Sequence, residues 1–535
     1  AVVGTDDPTT SQPLSNNPTA SPTVAPTVTA APTQPLEEVI GQWVIRTDED
    51  GAPFEDPSSP QSLALNWLSS DTFLRTGNHE PRELLERYVL AVVYFSTGGP
   101  NWPEFDFLNG AHFCTWNNNL TYSDENAKGA YCDDGLNVTM LSLHNVGVSG
   151  TIPWELSLLS DLSSLYMTFG TMTGSIPTEF GQLSRLKELY LFTNQLEGTI
   201  TTELGQLTTL TALDISVNAL TGTLPTELGE LSDLSYLYIN INQLNGTIPI
   251  ELTRLTGLEI LWLHRNVLTG TITAEVGKLT SLQELYIYTN QLEGTIPTEI
   301  GQLTLLTLLH VSQNALTGTI PTELGELTAL SYLAVNTNRL NGTVPIELSL
   351  LTDLASLFLH NNFLTGTIPT ELVELSALTS LRLSENSLTG TLTTALGQLT
   401  KLTDLRINEN NLNGTVPTEL GQLTNLVGLY LHENALTGTI PTELGKLILL
   451  QTLQAEENRL TGSVPMVMSR LRSLESFSFH DNDLSGSVDD ILCADAREWK
   501  TLESDCLVTN GEPEIECICC TSCCNFNGTD CQDMS

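Results

Sequence analysis

Basic residues are scarce in this chain. Its 535 residues include 20 Lys and Arg against 63 Asp and Glu, which gives a formal net charge of −43 at pH 7. Nucleic acids and anionic membrane surfaces are bound through basic patches, so a charge of this sign argues against both as partners.

Long apolar runs are also missing. The longest, Tyr88–Phe95, is far shorter than the roughly 20 residues that a membrane-spanning helix needs, so no membrane span is predicted. The chain starts at Ala1 rather than Met and shows no signal peptide. We therefore expect a secreted or cell-surface protein from which an N-terminal signal has been removed.

Catalytic signatures are a third absence. The sequence contains no GxSxG, HExxH, phosphate-binding loop or dinucleotide fingerprint. Most of its histidines recur at fixed intervals and do not form a set of nucleophile, base and orienting group. The chain is therefore predicted not to be an enzyme.

What the chain does contain is one block of 24 residues, repeated. Blocks that begin at Arg185 and at every 24th residue thereafter align without a gap as far as the block at Ser473. Two earlier blocks fit the apolar pattern but carry Val146 and Gly170 where the others carry Asn. The recurring asparagines are Asn194, Asn218, Asn242, Asn266, Asn290, Asn314, Asn338, Asn362, Asn386, Asn410, Asn434, Asn458 and Asn482.

The common pattern of the blocks is LxxLxLxxNxLxGxIPxxLGxL. A single block cannot bury so many apolar side chains alone, so the blocks must stack. The LxL segment has the period of a strand, and the Gly and Pro that follow turn the chain. The Asn amide can hydrogen-bond backbone groups of adjoining coils, which predicts a ladder of asparagines along the stack.

These residues are the leucine-rich repeat signature, and the LxGxIPxxLGxL half resembles the plant-specific subclass found in receptor-kinase ectodomains and polygalacturonase inhibitors. The resemblance extends from Val138 to Val488. It implies an α/β solenoid, a right-handed superhelix of about 15 repeats with a concave parallel sheet. It also implies a second, smaller sheet, few short helices and disulfide-capped ends.

Four regions follow from composition. Residues 1–36 form a Ser/Thr/Pro-rich arm, residues 37–137 a helical cap, residues 138–492 the solenoid and residues 493–535 a Cys-rich cap. The arm cannot build a core and favours extended backbone. Two interpretations stay open: an O-glycosylated flexible tether, or a segment that docks on the next molecule and builds filaments.

The helical cap is predicted to contain helices at 60–70 and 81–95, both of which open with proline. Its residues Trp102, Cys114, Trp116 and Cys132 resemble the amino-terminal cap of plant-type repeats, and this resemblance implies a disulfide between the two cysteines. Both flanks of the repeats are similar to those of secreted leucine-rich repeat proteins of diatoms.

The last region is rich in cysteine: Cys493, Cys506, Cys517, Cys519, Cys520, Cys523, Cys524 and Cys531. A thiolate metal cluster is one interpretation, and disulfides of undetermined connectivity are the other. Six N-glycosylation sequons, at Asn119, Asn137, Asn245, Asn341, Asn413 and Asn527, indicate export. Because the exported environment is oxidising, we predict disulfides and no metal site.

Outward-facing positions of the LxL segments are rich in aromatic residues and histidine. The predicted ligand-binding residues on this face are Tyr190, Tyr236, Tyr238, Trp262, His264, Tyr286, Tyr288, His310, His360, Arg382, Arg406, Tyr430 and His432. Stabilisation of the sheet by stacking is one interpretation of this row, and a binding surface is the other. Histidine normally titrates near pH 6.5, so binding is predicted to respond to pH between about 5 and 7.

Two more rows recur every 24 residues. One is a Glu row, represented by Glu227 and Glu251, that would open short helical turns or, less favoured, bind a divalent cation such as calcium. The other is a Thr row, represented by Thr223 and Thr247, that suits strands or an ice-binding surface.

The function predicted from the sequence is a non-catalytic extracellular recognition or adhesion glycoprotein that binds a protein, peptide or glycan on the concave face. The alternative is a structural cell-surface or matrix glycoprotein that assembles into filaments. Enzyme inhibition and ice binding are lesser alternatives, and no cofactor is predicted.

Overall fold

The computed structural model describes residues 36–44, 54–75, 79–102, 107–117, 127–493, 498–506, 515–524 and 531–533. The predicted arm, apart from its last residue, lies outside these ranges, and so do the sequons at Asn119 and Asn527. Predictions that depend on those residues therefore stay predictions.

Three α-helices precede the repeats: α1 (Leu36–Val44), α2 (Pro60–Ser70) and α3 (Pro81–Ser96). Both α2 and α3 begin with proline, as predicted from the sequence. Residues of α3 from Tyr88 to Val93 are buried and belong to the same apolar core as the first coils of the solenoid. The helices therefore close the open end of the repeat stack. Short 3₁₀ turns at Phe73–Arg75, Gly99–Asn101 and Phe113–Thr115 complete this part of the chain.

One sheet of 19 strands runs through the described part of the molecule. Its strands are β1 (Gly129–Cys132), β2 (Val138–Ser142), β3 (Ser164–Tyr166), β4 (Glu188–Tyr190), β5 (Ala212–Asp214), β6 (Tyr236–Tyr238), β7 (Ile260–Trp262), β8 (Glu284–Tyr286), β9 (Leu308–His310), β10 (Tyr332–Ala334), β11 (Ser356–Phe358), β12 (Ser380–Arg382), β13 (Asp404–Arg406), β14 (Gly428–Tyr430), β15 (Thr452–Gln454), β16 (Ser476–Ser478), β17 (Thr501–Ser504), β18 (Ser522–Cys524) and β19 (Cys531–Asp533). The first and last strands pair antiparallel, and the others pair parallel with the next strand in sequence. This arrangement confirms the predicted solenoid with a long parallel sheet.

The predicted second sheet is present only in pieces. Two-stranded sheets join Ser149–Thr151 to Thr171–Thr173, Asn341–Thr343 to Phe363–Thr365, and Gly486–Ser487 to Ile515–Glu516. A five-stranded sheet contains Thr389–Thr391, Asn411–Thr415, Ala435–Gly438, Arg459–Gly462 and Asp483–Leu484. Between Thr199 and Asn341 only isolated bridges occur.

Each coil returns through a five-residue 3₁₀ helix. These helices are Trp154–Leu158, Thr178–Gln182, Thr202–Gln206, Thr226–Glu230, Ile250–Arg254, Ala274–Lys278, Thr298–Gln302, Thr322–Glu326, Ile346–Leu350, Thr370–Glu374, Thr394–Gln398, Thr418–Gln422, Thr442–Lys446 and Met466–Arg470. Members of the Glu row such as Glu227 lie in the first turn of these helices, where an acidic side chain faces the free amide groups.

A glycine near the end of each typical 3₁₀ helix lets the next coil approach closely. A Cβ added at Gly229 would lie 2.4 Å from the backbone oxygen of Glu251. One coil later, Thr253 occupies the equivalent position. A cavity of about 40 Å³ lies beside Thr253 and Val276, which fits a wider separation of these two coils.

The predicted asparagine ladder is confirmed. Asn266 donates its Nδ2 to the backbone oxygens of Leu263 in its own coil and Ile239 in the preceding coil, both at 3.1 Å. Its Oδ1 accepts the backbone N–H of Leu244 at 3.0 Å. Each ladder residue therefore ties one coil to the coil before it, beneath strands whose leucines fill the core.

Disulfides close both ends of the described solenoid. At the amino-terminal end Cys114 is bonded to Cys132. At the carboxyl-terminal end the bonds are Cys493–Cys519, Cys506–Cys523 and Cys517–Cys520, and Cys524 is also disulfide-bonded. The side chain of Cys531 lies outside the described part of the chain. The cysteines with described side chains are thus oxidised and do not form a thiolate metal cluster.

Candidate ligand-binding face

The third residue of each strand forms a central column on the concave face. From β3 to β15 this column reads Tyr166, Tyr190, Asp214, Tyr238, Trp262, Tyr286, His310, Ala334, Phe358, Arg382, Arg406, Tyr430 and Gln454. Parallel pairing aligns these residues from one strand to the next. We call β3–β11 and their following loops the aromatic half, and β12–β16 with theirs the charged half.

Rings of the aromatic half stack along the column. Tyr166 and Tyr190 lie with their ring centroids 4.9 Å apart and nearly parallel. The Trp262 ring contacts Tyr238 at 4.9 Å edge-on and Tyr286 at 5.1 Å stacked. All five side chains nevertheless keep part of their surface exposed. The column is therefore both braced by cross-strand contacts and accessible to a ligand.

Carboxylates accept hydrogen bonds from several of these aromatic side chains. Tyr236 Oη donates to Glu259 at 3.2 Å, and Trp262 Nε1 donates to Glu284 at 3.1 Å. Burial, and to a smaller extent nearby carboxylates, raises the pKa of Tyr238 to about 12. Its phenol is therefore neutral at any physiological pH.

The histidines of this face are more enclosed than the sequence predicted. Burial lowers the pKa of His264, His310, His360 and His432 to about 4. Tyr288 lies between two of them, stacked on His264 at 4.4 Å and on His310 at 4.0 Å. The predicted response between pH 5 and 7 is therefore wrong for these four side chains, which titrate well below pH 6.5.

Arginines mark the start of the charged half, and both are engaged within the chain. Arg382 Nε donates to Asp404 Oδ2 at 2.7 Å, and Arg406 Nε donates to Asp404 Oδ1 at 3.1 Å. The Arg382 guanidinium lies over the ring of Phe358 at 4.7 Å, and that of Arg406 over Tyr430 at 4.4 Å. About a third of each arginine side chain is exposed, so both remain within reach of a ligand.

A ridge of residues in left-handed conformation borders the face. In the charged half it consists of the acidic residues Glu385, Glu409, Glu433, Glu457 and Asp481, with φ between 51° and 54°. Beside this ridge, burial raises the pKa of Glu456 to about 7, and its Oε1 lies 3.9 Å from Nδ1 of His432.

Two groups in the described part of the chain bring metal-ligating atoms together. Glu409, His432 and Glu433 place one ligand atom each within 4.8 Å of one another. Cys493, Cys517 and Cys519 form the second group, but their sulfurs are committed to disulfides. Neither group includes members of the Glu row, so the row itself does not gather into a cation site.

The other surfaces of the coils carry the described sequons. Asn245, Asn341 and Asn413 are exposed beside the second-sheet segments, away from the concave strands. Asn137 near the cap donates its Nδ2 to Asp133. A lateral groove of about 580 Å³ also lies on this flank, lined by residues that include Thr247, Ile250 and Thr271.

The sequence-predicted binding residues thus share one face but do not meet at one point. Tyr190, Tyr238, Trp262, Tyr286, His310, Arg382, Arg406 and Tyr430 are in the central column, Tyr236 is two residues earlier on its strand, and His264, Tyr288, His360 and His432 follow their strands by two residues. Sequence reasoning missed Asp214, which interrupts the aromatic run. An alignment of the 24-residue blocks could have identified it, because Asp214 occupies the position of Tyr190 and Tyr238 in the adjoining blocks.

No helix of the described ranges is long and apolar enough to cross a bilayer.

Comparisons with known proteins agree with the repeat architecture. The family model described as Leucine Rich Repeat matches residues 281–303, 377–399 and 425–447. No match is found among curated protein sequences.

Solved structures resemble the chain more extensively. A TDR receptor is 32% identical with a TM-score of 0.64, and the match covers 66% of this chain and 61% of that one, so this chain spans less than two thirds of the receptor chain. The leucine-rich repeat ectodomain of the Arabidopsis receptor kinase HAESA, in complex with an extended IDA peptide hormone ligand, is 29% identical with a TM-score of 0.61, covering 74% of this chain and 68% of that one.

A bacterial protein extends the likeness beyond plants. A leucine-rich repeat protein of Leptospira interrogans is 32% identical with a TM-score of 0.53, and the match covers 64% of this chain and 90% of that one. Together with the repeat register and the asparagine ladder, these matches show that the chain belongs to the leucine-rich repeat family.

Proposed function

We propose that this chain is a non-catalytic extracellular recognition protein that binds a peptide, free or as part of a larger protein, on the aromatic half of its concave face. The observation that carries the proposal is the partly exposed run of Tyr238, Trp262 and Tyr286. Tyr and Trp side chains supply large contact areas at low conformational cost, and they are enriched where proteins recognise other chains.

The similar structures support a peptide ligand. The HAESA ectodomain, which resembles this chain over 74% of its length, is described in complex with a peptide hormone. An extended peptide has the shape to lie across parallel strands and to place its side chains between the aromatic rings.

Export and surface decoration support the same proposal. Disulfides at both ends suit an oxidising compartment. Glycans on Asn245, Asn341 and Asn413 would cover a flank and leave the concave strands free. The alternative of a filament-forming matrix glycoprotein depends on residues 1–36, which lie outside the described ranges, and it stays a prediction together with glycan binding.

A peptide-display selection tests the proposal. Random peptides are selected against the whole glycosylated chain and then measured against a variant with Tyr238→Ala, Trp262→Ala and Tyr286→Ala. We expect at least about a 100-fold loss of affinity, because hot-spot aromatic side chains contribute about 2 kcal/mol or more each.

The matched control is Phe363→Ala, which removes an exposed aromatic ring from the flank. It should leave peptide affinity unchanged. If the triple variant binds as well as the unmodified chain, or if selection yields no binder, the proposal fails. If the triple variant instead loses most of its thermal stability, the column serves the fold rather than a ligand.

A further inference from the structure

Strand β5 crosses the aromatic half as a line of short side chains. Its coil presents Ala212, Asp214 and Ser216 to the concave face. The flanking coils present larger residues at the same positions: Glu188, Tyr190 and Phe192 on one side, and Tyr236, Tyr238 and Asn240 on the other. Neighbouring strands lie about 4.8 Å apart, so the two walls stand about 10 Å apart at their backbones and enclose a trough one strand wide.

The aromatic walls of this trough are braced from outside. Tyr190 is stacked on Tyr166, and Tyr238 contacts Trp262, in each case on the side away from β5. Among the ring contacts of the described residues, none joins Tyr190 to Tyr238. Burial raises the pKa of both to about 12, so both walls are neutral phenols.

Asp214 forms the floor of the trough, and only one of its two carboxylate oxygens accepts hydrogen bonds within the described ranges. Its Oδ1 accepts hydrogen bonds from the backbone N–H and the hydroxyl of Ser216, at 2.9 and 2.6 Å. Its Oδ2 accepts none from the residues that the structure describes. Burial raises the pKa of Asp214 in spite of the two hydrogen bonds from Ser216. Within the described ranges no salt bridge joins Asp214 to a basic side chain. By contrast, Glu284 accepts a hydrogen bond from the adjoining Trp262.

Asn240 supplies a second acceptor at the far end of the trough. Its side chain is nearly inaccessible, with 6% of the residue exposed. Its Oδ1 has no hydrogen-bond partner within the described ranges. The backbone oxygen of Asn240 accepts from Val217 N–H at 2.9 Å, which fixes the residue beside Ser216. A buried amide oxygen without a donor costs about 1–3 kcal/mol, and a ligand N–H would remove that cost.

We propose that this trough seats an arginine side chain of the bound peptide, a proposal that rests on the proposed function. The planar guanidinium lies between Tyr190 and Tyr238, since a guanidinium stacks on the faces of aromatic rings. Its N–H groups donate to Asp214 Oδ2 and Asn240 Oδ1, the two acceptors that lack a donor within the described ranges. Lysine has no planar group to stack.

The charge of the whole molecule favours the same ligand. With a net charge of −43, the chain attracts cationic peptides to its surface before any specific contact forms. Specificity would then come from the trough, because it places a carboxylate between two tyrosines and beside a second acceptor.

The test uses small probes and the whole chain. Binding of Nα-acetyl-arginine amide is followed by NMR and compared with the neutral isostere Nα-acetyl-citrulline amide and with Nα-acetyl-lysine amide. We expect the arginine probe to bind at least 10-fold more tightly than either. Asp214→Asn and Tyr238→Leu should each weaken arginine binding by at least 10-fold.

A charge-matched control separates the trough from the general acidity of the surface. Asp233→Asn removes the same charge from an exposed flank position and should leave arginine binding unchanged. Equal binding of citrulline, unchanged binding by the Asp214 variant, or an equal loss in the Asp233 variant would each overturn the inference. Thermal melts of every variant show that the fold is retained.

The two proposals fail in different ways. If selected peptides bind through Trp262 but contain no enriched arginine and ignore Asp214→Asn, the arginine site is wrong and the proposed function stands. If the arginine probe binds as expected while selection yields no peptide that depends on the aromatic column, the proposed function is wrong and the trough is a site for arginine alone.

Discussion

The aromatic and charged halves of the concave face share one buried frame of leucines and asparagines and present different side chains on it. Beneath both halves the same leucines are buried and the same asparagines are bonded, as Asn266 and Asn482 show. On the surface, Trp262 stacks on tyrosines in one half, whereas Arg406 stacks on Tyr430 and pairs with Asp404 in the other. The frame and the recognition surface of this molecule are therefore set by different residues of each 24-residue block.

The largest effect should come from breaking the frame, and it should be the same in both halves. Asn266→Ala and Asn482→Ala each remove an amide that donates to backbone oxygens and accepts from the preceding coil. Leaving these buried groups unpaired should cost about 3 kcal/mol of unfolding free energy in either place. Urea unfolding followed by circular dichroism measures the two losses.

A clear difference between the two losses would contradict this expectation, because it would mean that the surface residues of one half support its frame. Thr289→Ala, which removes a partly exposed hydroxyl bonded to Gln313 beside the ladder, is the control and should change stability by less than about 0.5 kcal/mol.

Acid should act mainly on the aromatic half. His264, His310 and His360 lie there, and burial lowers the pKa of each to about 4 from an ordinary value of 6.5. Between these values the unfolded chain binds more protons than the folded chain, so stability is present above pH 6.5 and is lost as pH falls toward 4. We expect the melting temperature to fall on the order of 5 °C between pH 7 and pH 4.5.

Replacing those three histidines by glutamine should remove most of this slope, while His432→Gln in the charged half should remove less. Calorimetry across the pH range measures both. A slope that survives the triple replacement would assign the acid sensitivity to carboxylates rather than to the buried imidazoles.

The smallest effect should be confined to the charged half and have the opposite sign. Burial raises the pKa of Glu456 to about 7, so the folded chain holds a proton that the unfolded chain releases near pH 4.5. Its contribution is fully present below pH 4.5 and is lost as pH rises through 7. Glu456→Gln should therefore stabilise the protein by about 1–2 kcal/mol at pH 8 and leave it unchanged at pH 4.

The exposed neighbour Glu457 provides the control, since Glu457→Gln removes the same charge without relieving a buried carboxylate. Chemical unfolding at pH 4 and pH 8 measures both variants. An equal gain from the two would show that crowding of negative charge, rather than burial of Glu456, limits stability in this half.

The frame could be predicted from the sequence because each of its features repeats. The Asn266 position, the LxL strands and the glycine beside the next coil recur every 24 residues, and stacking is the arrangement that satisfies them all. Breaks in the second sheet could not be predicted, because glycines with positive φ occur both where the sheet is interrupted, as at Gly246, and where it is continuous, as at Gly414.

The surface could be predicted only in part, since exposure depends on side chains of the adjoining strands. His310 occupies an outward position, as predicted, but Tyr288 lies against it and excludes water. Asp214 is unremarkable as one residue of its block, and it becomes a candidate site only when Tyr190 and Tyr238 stand on either side. Such a feature depends on the residues of the neighbouring blocks and cannot be recognised from one block alone.

The ladder has a consequence for how such a gene can change. Asn266 reaches back to Ile239 and Leu244 and to no coil beyond, so every block depends only on its immediate neighbours. An in-frame duplication or loss of one 24-codon unit would therefore leave both disulfide-closed ends intact and simply lengthen or shorten the sheet by a strand. Recombination between blocks could then change the order in which outward residues such as Asp214 follow one another along the face. The order of the coils is therefore a heritable property on which selection can act.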